Sequence, residues 1–270
     1  MSAVINALSS ETLYRQLGLP SSPVVVDVRR EEDATAHPRM LPGARRGDPQ
    51  RIAQWAKTLP RTRPVAVYCA HGRSVSQTAA ETLAALGFEA SYIEGGIDAW
   101  EKAGRATVQM RAELNAPGGS RWVTRERPKI DRLACPWLVR RFIDPDALFF
   151  YVPAHRVRVE AEQLKAQPYD IDDVTFSHRG PRCSFDAFLD EFDLHDPAID
   201  QLAEIVRAAD TGELALSPQA PGLLAISLGY SATITDDIVL LEQAMPLYDA
   251  LYAWCKTARS ETHSWPKKKQ

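Results

Sequence analysis

Cys69 stands at a hinge. The apolar run RPVAVY ends just before it, and Ala70, His71, Gly72, Arg73 and Ser74 separate it from the alanine-rich stretch SQTAAETLAALG. A thiol at the end of a parallel strand, with a helix starting just beyond, meets turn amides and the positive end of the helix dipole. His71 and Arg73 add basic side chains beside it. Such surroundings favour the thiolate, the nucleophilic form of cysteine. Gly72 permits the backbone angles that an inward-turned loop needs. The bland alternative is an inert core cysteine, the commonest fate of a free thiol.

The other half of the chain holds a second concentration of reactive groups. RPKIDRLACPWLVRR gathers Lys129, Asp131, Arg132, Cys135, Arg140 and Arg141, and on a helix Asp131 and Cys135 share a face at i,i+4 spacing. SHRGPRCSFD sets His178, Arg179, Arg182, Cys183 and Asp186 around a glycine turn, and VRAADTGE adds Asp210. Imidazole, thiolate and carboxylate suit a transition metal, which makes His178, Cys183, Asp131 and Asp210 candidate ligands. No paired Cys-x2-Cys or double histidine marks a zinc signature there. Guanidinium forks match tetrahedral oxyanions, so Lys129, Arg132, Arg140 and Arg179 are candidate oxyanion binders. The competing reading makes these groups internal Arg–Asp pairs, with Cys135 and Cys183 as small core residues.

Positioning these residues requires a scaffold. SETLYRQLG reads as a helix capped by Ser10, SPVVVDVR as a buried strand and QRIAQWAKTL as a helix. RPVAVYC is a second strand, SQTAAETLAALG a helix stopped by Gly87, EASYIEGG a third strand and IDAWEKAG a last helix. Alternation of this kind implies a parallel sheet covered on both faces, an α/β domain over residues 1–110. The Pro/Gly-rich segment at 111–121 reads as a linker. A mainly helical α+β domain follows over 122–258, and residues 259–270 form a polar basic tail. In that second domain DRLACPWLVRRFI is helical, with Pro136 in its first turn or kinking it. ALFFYVP and DDVTFSHRG read as strands, SFDAFLDEF as a helix capped by Ser184 and PAIDQLAEIVRAAD as an amphipathic helix. TDDIVLLEQAMPLYDALYAWCK closes the chain as a long helix with Pro246 as a kink.

Composition narrows the class. With 270 residues and a formal net charge of -3, the chain lacks the basic excess of a dedicated nucleic-acid binder. Four cysteines in this length do not make a disulfide framework. No apolar run reaches the roughly 20 residues of a membrane span, and the amino terminus lacks a secretory pattern. A cytoplasmic protein with no membrane partner is the expectation.

Several separated motifs in the first half resemble the rhodanese superfamily. They are the DVR of Asp27, Val28 and Arg29, the LPGA at 41–44, the loop opened by Cys69, and GGIDAWEKAG at 95–104. The resemblance covers about residues 8–107 and implies a rhodanese-like α/β fold. It also implies a sulfurtransferase whose Cys69 carries a persulfide, with His71, Gly72, Arg73 and Ser74 in the active loop. It implies a small sulfur donor such as thiosulfate, a thiol acceptor, and no cofactor for the transfer. Related phosphatases resemble Cys-x5-Arg, but Val75 occupies the arginine position here. The usual Gly-His-Ile before Pro-Gly-Ala is replaced by AHPRML, which moves His37 one turn away.

Residues 121–257 resemble the ChrB-type chromate-resistance domain, through WVTRERPKIDRLACPWLVRRFIDPDALFFYVP, FSHRGPRCSFD, IVRAADT, PGLLAISLGYS and YDALYAWCK. This adds chromate as an expected partner and chromate or oxidative stress tolerance as the setting. Two other readings stand beside the coupled sulfurtransferase. One is a non-catalytic oxyanion or metal sensor with Cys69 as a redox switch. The other is a metal-dependent oxidoreductase in the second half, its transition metal held there.

Overall fold

The computed structural model describes residues 5–111 and 118–261. The linker expected at 111–121 and the tail expected at 259–270 therefore lie mostly outside the described residues. The first half runs β1 (Asn6–Leu8), α1 (Ser10–Gln16), β2 (Val24–Asp27), α2 (Glu31–Ala36), β3 (Arg39–Met40) and β4 (Arg45–Arg46). It continues through α3 (Ile52–Trp55), β5 (Val65–Tyr68), α4 (Ser74–Ala85), β6 (Ala90–Ile93), α5 (Gly96–Lys102) and β7 (Val108–Gln109). Five strands form one sheet in the order β1-β6-β5-β2-β4, every neighbouring pair parallel.

Crossover helices cover both faces of such a sheet, so its central strands β2 and β5 are buried at every position, with Asp27 at the end of β2 the one charged residue. Period-two alternation assigns the residues to opposite faces. Val65 and Val67 join Val24, Val26, Ala79 and Leu83 on one side. Ala66 and Tyr68 join Leu13, Val25, Ile97 and Trp100 on the other. Ser9 caps α1 in place of the expected Ser10, its hydroxyl accepting the Thr12 amide at 3.1 Å. Strands β3, β4 and β7 are two residues each and carry no periodicity of their own.

The second half holds β8 (Arg121–Arg125), α6 (Asp131–Leu138), β9 (Leu148–Val152), α7 (Val157–Leu164) and β10 (Gln167–Pro168). Helices α8 (Ser184–Phe192), α9 (Pro197–Asp210), α10 (Ala220–Thr233) and α11 (Asp237–Ala253) follow. Its three strands are parallel, in the order β10-β8-β9. The strand expected in DDVTFSHRG does not form, and two isolated bridges, Tyr169 to Phe176 and Arg179 to Arg182, tie its residues to the chain on either side. Asp170 and Asp173 adopt left-handed backbone angles (φ 53° and 55°), which an extended strand cannot contain. Pro136 lies inside α6 beyond its first turn, and Pro246 lies inside α11. Cys183, not Ser184, occupies the cap of α8, and its amide donates to Asp186 Oδ2 at 3.1 Å.

The two halves pack on each other. Gly18 lies so close that a Cβ there would meet the Phe142 ring at 2.3 Å and the Tyr252 ring at 2.6 Å. The Gly43 amide in the LPGA turn donates to the Phe142 carbonyl at 2.6 Å. Arg45 pairs with Asp146 through two short bonds, 2.6 and 2.7 Å. Tyr14 donates to Asp196 Oδ2 at 2.6 Å.

Candidate functional site

Cys69 directly follows β5, the middle strand of the sheet, and α4 begins five residues later at Ser74. The intervening loop is pinned from behind by the start of α5: the Ile97 amide donates to the Cys69 carbonyl and the Asp98 amide to the Ala70 carbonyl, both at 3.1 Å. Glycine is what permits this approach. A Cβ on Gly96 would sit 2.1 Å from the Cys69 carbonyl oxygen, and one on Gly72 would sit 2.5 Å from the Gly95 amide nitrogen. Both glycines also hold positive φ. The amides of Ala70, His71, Gly72 and Arg73 donate to no protein acceptor among the described residues. Cys69 is a free, buried thiol whose Sγ lies 3.2 Å from the Ser76 hydroxyl. His71 Nδ1 lies 2.7 Å from Asp98 Oδ2, so the histidine is held toward α5, while Arg73 and Ser74 are exposed at the loop's rim.

Behind the loop, Arg29 and Asp27 form a buried bidentate pair, with a shortest contact of 2.6 Å. Arg29 also donates to the carbonyls of His37 (2.9 Å) and Arg39 (2.7 Å), fixing the segment that leads into LPGA. The displaced His37 is bonded to Glu101 at 2.9 Å.

A second cluster converges on His178. Its Nε2 lies 3.2 Å from Asp131 Oδ2, 3.2 Å from Asp210 Oδ2 and 3.4 Å from Asp170 Oδ1. Asp131 opens α6, Asp210 closes α9, and Asp170 follows β10, so three distant elements deliver the carboxylates. Bonds to Asp131 and Asp170 outweigh burial and push the imidazole up to about 10. Burial, with repulsion from Asp131, pushes the Asp210 carboxyl up to about 8. Burial likewise raises Asp131. Burial works in the same direction on Asp170, but hydrogen bonds from His178, Arg125 and Ser184 override it and hold that carboxyl down at about 2. A cleft of about 730 Å³ opens beside the cluster, lined by Asp170 and His178 together with Arg125, His155 and Arg158.

Residues 9–103 match the family of rhodanese-like domains, and residues 122–255 match the family of ChrB C-terminal domains. The chain joins a rhodanese-like domain to a ChrB C-terminal domain. Protein ChrB of Cupriavidus metallidurans is 33% identical over 142 residues, covering 52% of this chain and 42% of that protein. The chain thus spans less than half the length of that relative. Among solved structures, a rhodanese-related protein of Thermoplasma volcanium is 27% identical over 38% of this chain and 97% of that one, with a TM-score of 0.34. A rhodanese-like domain protein of Staphylococcus aureus is 28% identical over 36% and 91%, with a TM-score of 0.32.

Within the rhodanese-like domain, the sequence-derived residues Cys69, His71, Gly72 and Arg73 lie on one loop that runs into α4 at Ser74. Within the ChrB C-terminal domain, Asp131, His178 and Asp210 come together, and Asp170 joins them unforeseen. Its signal in the sequence is the acidic run Asp170, Asp172 and Asp173 shortly before His178. Cys183 is fully buried and turned to Asp186 Oδ2 at 3.6 Å, and burial pushes its thiol up. Cys135 is buried beside it, raised for the same reason. The four basic residues expected to bind an oxyanion are not gathered in one pocket. Arg132 is bound to Asp170 (3.2 Å), Arg140 to Glu242 (2.7 Å) and Arg179 to Glu191 (2.5 Å). Each of these arginines is paired with a carboxylate, the arrangement of the competing reading of internal pairs. Lys129 has no side-chain partner among the described residues.

Proposed function

We propose that the rhodanese-like domain transfers sulfur through a persulfide on Cys69. The observation that carries this reading is the turn after β5, where four consecutive amides follow a thiol and none is spent on the protein. Such amides are the donors that a terminal persulfide or an oxyanion leaving group needs. Balanced with thiosulfate, the Cys69 thiolate attacks the sulfane sulfur. A new S–S bond forms, the bond to the sulfite sulfur breaks, and sulfite leaves with that bonding pair. The outer sulfur of the enzyme persulfide then passes to cyanide or to a thiolate acceptor, returning the Cys69 thiolate.

The ChrB C-terminal domain supports a setting of chromate stress for this activity. Chromate is a tetrahedral dianion whose reduction consumes thiols, and a persulfide carrier in the same chain supplies reduced sulfur where those thiols are lost. Full-length protein given thiosulfate and cyanide is expected to release thiocyanate, and Cys69→Ala is expected to release none above the uncatalysed rate. Equal turnover by the two proteins would falsify the proposal. The coupling is tested separately, by comparing chromate tolerance of cells carrying each form; identical tolerance would leave sulfur transfer intact and remove its link to chromate.

A further inference from the structure

A hydrogen-bond count at His178 exposes an imbalance. An imidazole nitrogen holds at most one proton, and one N–H serves one acceptor well. Three carboxylate oxygens nevertheless lie within 3.4 Å of Nε2, from Asp131, Asp170 and Asp210. Asp131 and Asp170 also each spend an oxygen on Ser184: the Ser184 amide donates to Asp131 Oδ2 at 3.3 Å, and its hydroxyl donates to Asp170 Oδ1 at 2.8 Å. Arg125 (2.7 Å) and Arg132 (3.2 Å) hold the other oxygen of Asp170 and so orient the carboxylate with Oδ1 toward the imidazole. Outer groups that fix a carboxylate and leave one oxygen facing inward are the usual surroundings of a metal ligand.

The oxygens that converge on one nitrogen come from residues 131, 170 and 210, so local sequence does not force them together. Asp131 and Asp170 are buried, with side chains 3% and 5% exposed, and Asp210 is nearly so at 14%. Like charges brought this close in a poorly solvated place repel. A divalent cation offsets that repulsion, with Asp131, Asp170 and His178 as its core donors and Asp210, whose Oδ2 lies 3.2 Å from the same imidazole nitrogen, at its edge. Asp131, Asp170 and His178 already present one donor atom each within 4.8 Å of one another.

We propose that Asp131, Asp170, His178 and Asp210 form a divalent-metal centre with one imidazole nitrogen and three carboxylates as donors, opening onto the basic cleft beside them. The donor set names the class of ion. Both nearby thiols are excluded, since Cys183 is turned to Asp186 and Cys135 is sealed in the core. Oxygen-rich sites with one imidazole suit manganese or ferrous iron rather than the thiophilic ions that a Cys183 ligand would favour. The cleft gives the ion a route from solvent, and its lining by Arg125, His155 and Arg158 fits an anion bound next to the metal. This centre is separate from the Cys69 chemistry and does not depend on it.

The test uses full-length protein stripped with EDTA and titrated with Mn²⁺, followed by calorimetry and by the electron paramagnetic resonance signal of free Mn²⁺. One equivalent is expected to bind. His178→Ala and Asp210→Asn are each expected to weaken binding by at least about 10-fold, while Cys183→Ala and Cys69→Ala bind as the unaltered protein does. Thermal melts separate this from a purely structural role. Asp210→Asn relieves the repulsion with Asp131, so it melts no lower than the unaltered protein in EDTA, yet loses the rise in melting temperature that Mn²⁺ gives. Absence of stoichiometric Mn²⁺ binding, full binding by His178→Ala, or loss of binding in Cys183→Ala would each overturn the proposal.

Discussion

Gly96 decides whether the Cys69 loop can close. A side chain there would press on the carbonyl oxygens of Cys69 (2.1 Å) and Ala70 (2.5 Å), and the residue already holds φ +60°. Gly104 offers a matched control, since its φ is +67° but nothing lies within 4 Å of its Cβ position. Gly104→Ala therefore carries only the backbone penalty, about 1 kcal/mol. Gly96→Ala adds a clash with backbone that cannot step aside, and is expected to lower stability by about 3 kcal/mol or more in urea unfolding. It should also slow thiocyanate formation, because the loop must shift to accommodate the methyl group. Equal urea midpoints for the two variants would show that close approach does not set the loop's shape. At this scale the sequence exposes the chemistry of Cys69 through its neighbours along the chain, from strand end to helix start. It exposes the His178 cluster only in part. Asp131 and Asp210 sit on helices whose patterns are regular, whereas Asp170 sits on a left-handed turn residue that no periodicity marks. Cys183 attracts notice as a ligand type, and only its burial against Asp186 shows where its sulfur points.

Helix α6 shows how an element carries a defect that its sequence announces. Pro136 has no amide hydrogen, so the carbonyl of Arg132, four residues earlier, loses its helical partner. That carbonyl lies in a buried region, where an unmatched acceptor costs about 1–3 kcal/mol. Two tyrosines answer it: Tyr151 from β9 donates at 3.0 Å and Tyr169 from the end of β10 donates at 3.3 Å. The proline thus binds the helix to the sheet through hydroxyls that an ordinary helix would not need. Tyr151→Phe is expected to destabilise the protein by about 1 kcal/mol. In a Pro136→Ala background the restored amide takes the Arg132 carbonyl, and the same tyrosine change should cost measurably less. A double-mutant cycle in urea measures the difference, and a coupling of zero would mean that the tyrosines do not serve this carbonyl. Long periodic elements such as α4, α9 and α11 were legible from residue pattern. Pattern leaves unmarked the segments where tertiary pairing decides: the two-residue strands borrow their geometry from neighbours. The 172–180 stretch has strand-like residues but the turn angle of Asp173 prevents an extended run.

At the scale of the whole molecule, Lys256 reports on how the two halves are joined. The turn of π-helix that ends α11 carries it across to α1, where its Nζ donates to the Tyr14 carbonyl (2.5 Å) and the Leu17 carbonyl (2.9 Å). Burial between the halves outweighs the pull of Asp196 and pushes the ammonium down to about 8, from an ordinary value of 10.5. The sign follows from proton counting. Below about pH 8 the amine is protonated in both states, and the folded protein bears the full cost of a buried charge. Between there and 10.5 the unfolded chain binds more protons than the folded one, so this residue's contribution to stability rises with pH across that window. Lys256→Met keeps the aliphatic stem and removes the titration. The difference in unfolding free energy between the unaltered protein and Lys256→Met should therefore shift in favour of the unaltered protein as pH goes from 7.5 to 10, roughly the span between the two values. A difference that stays flat across that range would place Lys256 in water, and the contact between α1 and the chain after α11 would then not bury it. Because both acceptors are carbonyls of α1 and the loop after it, the same measurement tests whether the rhodanese-like and ChrB C-terminal domains unfold as one unit. If they part before global unfolding, the pH dependence attaches to the first transition alone.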